Sequence, residues 1–290
     1  MRLHNAPMIR LQAGEFVCEL MPQLGGCVSR LALGNVPVLR PVPVGGLTSA
    51  RQSGCYPLVP FSNRIAHATL SWEGTLHPLI QNNAPEPHAI HGVGWQRPWA
   101  VLDSDDRFVM MSYEHAADAS WPFAFDCSQT MRISENSLEV TLAMTNQSRV
   151  AAPAGLGWHP YFIKRNTSQV SFEASGRWEM GEDKLPTSRT SSRGLGELCG
   201  TLDVDHCFDG WSGVAILRDD LLKVRISSTL RRLVVFTRPQ RDSIAIEPVS
   251  HVNNAMSLVD AGADPLPLGV EILQPGETLS AQMTIDVERA

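Results

Sequence analysis

Apolar side chains recurring at every second residue, in several separate stretches, constrain this chain more than any other feature. Leu138, Val140, Leu142 and Met144 alternate with Glu139, Thr141, Ala143 and Thr145. Leu222, Val224 and Ile226 alternate with Lys223, Arg225 and Ser227. Ala281, Met283, Ile285 and Val287 alternate with Gln282, Thr284, Asp286 and Glu288. Successive residues of a strand face opposite sides, so this period describes strands with one buried and one wet face. Turn chemistry separates the runs. Asp219-Asp220 precedes the run at Leu222, Ser227-Ser228-Thr229 precedes Leu233-Val234-Val235-Phe236, and Gln274-Pro275-Gly276-Glu277 opens the last run. No helix longer than three turns is indicated. Many short strands with frequent Gly and Pro predict an all-β protein, an antiparallel sandwich or barrel. Without an internal repeat, a low-complexity tract or a shift in composition, residues 1–290 read as one domain.

Charge narrows the partners. Lys and Arg total 24 against 30 Asp and Glu, a net charge of −6, and only three of the basic residues are Lys. No basic run exists to track phosphates, which argues against nucleic acid. No stretch of apolar residues is long enough to cross a membrane as a helix. Residues 1–26 lack the charged start, apolar run and cleavage site of a secretory signal. The six cysteines are scattered without a C-x-x-C pair, which favours free thiols and a cytoplasmic setting. Oligomeric state is not legible.

The chemistry-capable residues fall in or beside expected loops at 37–64, 81–98 and 177–200, the last with no evident role. The most informative fragment is Gly157-Trp158-His159-Pro160-Tyr161-Phe162. Its imidazole can exchange a proton near neutrality. Pro160 stiffens the backbone and biases His159 toward an extended conformation. The surrounding rings form an apolar wall of the kind that stacks on the C–H face of a sugar. A His among aromatics is ordinarily a packed core residue, so its company elsewhere matters.

Four clusters supply that company. Phe61-Ser62-Asn63-Arg64-Ile65 offers a rigid guanidinium fork beside a ring, although Arg64 could equally be an ion-pair partner. His88-Ala89-Ile90-His91-Gly92-Val93-Gly94 has the spacing of metal ligands, but no third ligand lies nearby. The two glycines instead let the backbone approach a ligand and favour His91 as a pocket residue. In Asp203-Val204-Asp205-His206-Cys207 the period of two sends Asp205 and Cys207 to one face and His206 to the other, which weakens a metal reading. In Ile244-Ala245-Ile246-Glu247-Pro248 an apolar strand ends in a carboxylate, which is costly to bury unless paired or used. Dinucleotide, phosphate-loop, zinc-protease and serine-hydrolase motifs are absent.

Taken in order, Leu24-Gly25-Gly26, Asn63-Arg64-Ile65, His91-Gly92, His159-Pro160-Tyr161-Phe162, Asp205-His206-Cys207-Phe208, Glu247-Pro248 and Leu273-Gln274-Pro275-Gly276-Glu277 resemble the aldose 1-epimerase (galactose mutarotase) family over essentially the whole chain. The resemblance implies a large antiparallel β-sandwich with a sugar in an open cleft. It implies that His159 is the general acid and Glu247 the general base. It further implies that Arg64, His91 and Asp205 hold sugar hydroxyls, with Asn63 beside them. No cofactor or metal is needed. Trp158 and Ile163-Lys164 stand where many galactose mutarotases carry Asn and Asn-Leu, so a galactose preference does not follow.

The expected reaction opens and recloses a cyclic aldose. One group takes the proton of the anomeric hydroxyl while another protonates the ring oxygen. At neutral pH an ionised Glu247 and a partly protonated His159, helped by Asp205, are expected to face each other across a sugar-sized gap. Two rivals stand beside this reading. One is a hexose-phosphate 1-epimerase, which would draw on Arg40, Arg51 and Arg97. The other is a non-catalytic carbohydrate-binding protein.

Overall fold

A computed structural model describes residues 8–42 and 46–290. Part of the 37–64 loop therefore lies outside the described residues. The alternating stretches form the strands Ser137–Asn146, Leu222–Ser228 and Thr278–Arg289, and Thr278–Arg289 lies between the other two. Around them a nine-stranded antiparallel sheet runs from Ala100–Ser104 through Phe108–His115 and Phe125–Ile133 to Ser137–Asn146. It continues through Thr278–Arg289, Leu222–Ser228, Val214–Arg218 and Gln169–Phe172 to Leu195–Leu198.

A second antiparallel sheet of eight strands carries the chemistry-capable residues. Its order is Pro186–Ser191, Gly176–Met180, Val204–Asp209, Arg232–Thr237, Ser243–Val249, Gly157–Trp158 and Pro57–Leu58, with Tyr161–Ile163 also paired to Ser243–Val249. The two sheets pack face to face over a continuous apolar core, the expected β-sandwich. Phe208 of the second sheet meets Phe172 of the first edge to face, with centroids 5.0 Å apart. A four-stranded sheet (Ile9–Ala13, Phe16–Met21, Cys27–Leu33 and Val36–Pro37) flanks the sandwich, and the α-helices among the described residues are the short Ala255–Asp260 and Pro265–Leu268.

Residues 177–200 correct an expectation. In place of the expected loop they form Pro186–Ser191 and Leu195–Leu198 and most of Gly176–Met180, which are edge or near-edge strands. Five of the six residues in Pro186–Ser191 are exposed. An edge strand with no buried face has no apolar alternation to betray it.

Register explains which side chains reach the cleft. Residues directly opposite on antiparallel strands share a face, as do residues two apart. Glu247 lies opposite Val234, and Phe236 lies opposite both Ala245 and Asp205. Glu247, Val234, Phe236 and Asp205 therefore share the face turned away from the nine-stranded sheet. Phe208, Val235, Ile244 and Ile246 take the face toward it.

Candidate active site

The outward face of the eight-stranded sheet, covered by segments 51–65 and 83–91, encloses a cleft of about 460 Å³. Asn63, Arg64, His91, His159, Asp205 and Glu247 all line it. That space is open to solvent on one side, and its lining is mostly polar and charged. Its walls also include Arg51, Asn83, Glu86 and the rings of Tyr161 and Phe236.

Glu247 sits on Ser243–Val249, whose seven residues are all buried. His159 occupies the break between Gly157–Trp158 and Tyr161–Ile163, both hydrogen-bonded to that same strand. Two neighbouring backbone segments thus bring the imidazole Nε2 to 3.2 Å from the carboxylate Oε1. The expected sugar-sized gap is absent: the two side chains are in direct contact, because neighbouring segments of one sheet carry them.

Burial also reverses the expected protonation of the sugar-free pair. Desolvation, reinforced by Asp205, raises the Glu247 carboxyl well above its ordinary range, against the pull of Arg64. Desolvation, with His91, Arg40 and Arg51 adding to it, lowers the His159 imidazole well below its own. Both shifts favour neutral forms, because an ion in this pocket loses its hydration. Asp205, expected to charge His159, acts on Glu247 instead.

The remaining expected residues interlock. His91 N–H donates to the Asn63 carbonyl at 2.8 Å, and Asn63 N–H donates to His91 Nδ1 at 3.1 Å. Both residues have positive φ, 62° and 54°. With Nδ1 an acceptor, the neutral ring carries its proton on Nε2, a donor available to a ligand. Burial, then Arg64 and Arg51, keeps the His91 imidazole well below its usual value. Gly92 makes the turn possible, since its φ is +68° and a Cβ there would lie 2.2 Å from the Val59 carbonyl oxygen. Arg64 donates to Glu86 through Nε at 2.9 Å and Nη2 at 3.2 Å, and to Asn63 Oδ1 through Nη1 at 2.9 Å.

The aromatic wall differs from expectation. Trp158 is 1% exposed and points between the sheets, lining a small internal cavity with Met131, Val140, Met283 and Ile285, and Phe162 is fully buried. Alternation sends His159 and Tyr161 to the cleft and their neighbours to the core. Tyr161 stacks on His159 with centroids 4.3 Å apart, and Tyr56 stacks on it at 4.9 Å. The cleft's rings are therefore Tyr161 and Phe236.

His88 and His91 diverge. His88 Nδ1 accepts from His67 N–H at 3.0 Å and Nε2 donates to the Asp183 carbonyl at 2.9 Å, away from any shared ligand position. Among the described residues, no three His, Cys, Asp or Glu form a group able to hold a metal. Of Arg40, Arg51 and Arg97, only Arg51 lines the cleft. Arg40 lies 3.5 Å over the Tyr161 ring, and Arg97 pairs with Asp118 at 3.4 Å. Sequence reasoning missed Glu86, Asn83 and the pocket role of Phe236. An acidic or amide side chain on an irregular loop has no period to mark it.

Comparison with known proteins agrees with this architecture. The aldose 1-epimerase family model matches residues 7–286. The uncharacterized protein YphB of Escherichia coli K12 is 27% identical, covering 96% of this chain and 98% of its own. The crystal structure of a candidate aldose 1-epimerase from the same organism superposes with a TM-score of 0.87 at 26% identity, covering 98% of this chain and 99% of its own. A galactose mutarotase-like protein from Clostridium acetobutylicum superposes with a TM-score of 0.86 at 20% identity, covering 98% and 95%. Matched over nearly its full length by sequence model and by fold, this chain belongs to the aldose 1-epimerase family.

Proposed function

We propose that the protein interconverts the α and β anomers of a free aldose by acid–base ring opening and reclosure, with Glu247 and His159 as the reacting groups. The observation that carries this reading is their 3.2 Å contact on the floor of a polar cleft that Arg64, His91 and Asp205 also line. Two buried titratable groups with shifted affinities for protons are what proton relay between two oxygens on one carbon requires.

The sugar-free pair favours an un-ionised carboxyl and a neutral imidazole. Glu247 Oε2 has no hydrogen-bond partner in the protein. A sugar hydroxyl donating to it stabilises the carboxylate and transfers the proton to His159. In that state Glu247 takes the anomeric proton and His159 protonates the ring oxygen. The ring opens, the aldehyde turns its other face, and the roles reverse on closure. Arg64, His91 through Nε2–H, Asn63 and Asp205 hold the other hydroxyls, while Tyr161 and Phe236 cover C–H surface. The chemistry calls on no cofactor.

Polarimetry of freshly dissolved α-D-glucose and α-D-galactose tests the reading. Acceleration beyond buffer, abolished in Glu247→Gln, supports it. Sugar binding seen by NMR with no change in anomer exchange across a panel of hexoses and pentoses would reject it in favour of a carbohydrate-binding protein.

One observation favours a second reading, a hexose-phosphate substrate. Arg51 lines the cleft with no carboxylate partner among the described residues, its guanidinium bonded to Asn83 Oδ1. Comparing glucose with glucose 6-phosphate separates the two.

A further inference from the structure

The hairpin joining Gly176–Met180 to Pro186–Ser191 reaches the cleft from outside. At its turn Lys184, with φ of 62°, donates Nζ to Glu86 Oε1 at 2.6 Å. One residue earlier, the Asp183 carbonyl accepts from His88 Nε2 at 2.9 Å. Two separate contacts thus fasten this turn to the segment bearing Glu86.

Glu86 in turn grips Arg64 with both carboxylate oxygens. Burial pushes the Glu86 carboxyl up, but Arg64 and Lys184 outweigh it and bring it down to about 2. It is therefore ionised at every pH where the protein would work. Arg64 has five N–H donors, of which Glu86 and Asn63 engage three, leaving two for a ligand. A planar guanidinium clamped along one edge presents its remaining donors in a fixed direction. The Arg64 side chain is only 9% exposed, so without the carboxylate its charge would be poorly solvated and its orientation unspecified.

We propose that Glu86 is a positioning residue for Arg64, and that the 181–185 turn, through Lys184 and the Asp183 carbonyl, holds Glu86 in place, so that a hairpin outside the cleft sets affinity for the sugar. This rests on the reading of Arg64 as a sugar-holding group. It gives the 177–200 segment a role.

Steady-state anomerisation kinetics and nitrogen-15 NMR of arginine Nε–Hε groups test it together. Glu86→Gln should raise KM about tenfold or more, with a smaller loss in kcat, because the chemistry of Glu247 and His159 is untouched. Lys184→Met, at a half-exposed pair, should raise KM by no more than about fivefold, and the difference should shrink at high salt. Arg64→Lys combined with Glu86→Gln should be little worse than Arg64→Lys alone, since both remove one unit. The Arg64 Hε signal, assigned by its loss in Arg64→Lys, should exchange with water at least about tenfold faster in Glu86→Gln.

Should Glu86→Gln fail to fold, Glu86→Asp and Lys184→Met supply the same readouts. Wild-type KM and wild-type Arg64 exchange in both would overturn the proposal, as would fully multiplicative effects in the double variant. If the native protein anomerises no sugar, the functional reading falls, while Arg64 exchange still decides the positioning role.

Discussion

Glu247 and His159 touch each other, and each keeps one polar atom, Oε2 and Nδ1, without a partner in the protein. Such buried, half-satisfied groups cost stability and are retained where a substrate completes them. Glu247→Gln and His159→Asn should therefore each fold, with a melting temperature no lower than wild type, while anomerisation falls at least about a hundredfold. Polarimetry and thermal denaturation of the same preparations check both halves.

The pH profile follows from the direction of the two shifts. Burial opposes adding a second proton to the pair, which would create an imidazolium beside a carboxylic acid. Burial equally opposes removing the last proton, which would leave a lone carboxylate. The single-proton pair should persist between these two limits, so kcat/KM should show a plateau. Its acid limb should fall below the ordinary imidazole value of 6.5, and its alkaline limb above the ordinary carboxyl value of 4.5. An acid limb centred on 6.5 would count against a buried His159.

Stability should depend on His251. Its Nε2 accepts from Ser62 N–H at 3.1 Å and its Nδ1 donates to the Val252 carbonyl at 2.7 Å, so the folded ring must be neutral. Burial holds it down to about 4, against 6.5 when unfolded. The unfolded chain then binds the proton first as pH falls. The stabilisation is complete above about pH 6.5 and is lost on descending toward 4, amounting to about 3 kcal/mol. His251→Gln, which keeps one donor and one acceptor, should show a shallower fall in melting temperature across that interval.

Gly92→Ala should destabilise by about 2–4 kcal/mol, combining a left-handed backbone with a collision against the Val59 carbonyl. Because His91 precedes it, residual folded protein should also bind sugar more weakly. Urea denaturation and an NMR titration separate the two effects.

How much of this was legible depended on periodicity. The run from Leu138 to Met144 announced its strand because one face is wet and the other buried. The Pro186–Ser191 strand did not, because it buries neither face. Glu247 stood out as a carboxylate ending an apolar strand, and His159 through its proline and aromatic setting. Trp158 and Phe162 looked like part of a sugar platform, yet alternation turns them inward. Glu86 sits on an irregular segment, where a charged residue resembles any solvated one. Its meaning comes only from what the folded chain brings to it.

His159 and Glu247 ride on adjacent segments of one hydrogen-bonded ladder, whereas Asn63, Arg64, Glu86 and His91 ride on coils and short strands inserted elsewhere in the chain. Spacing between strands, a near-constant of β-structure, fixes the distance between the first two. On the proposed reading, insertions or deletions in the outer segments would retune which hydroxyl pattern is accepted and leave the proton path as it is. Diversification of substrate would then be separable from preservation of chemistry.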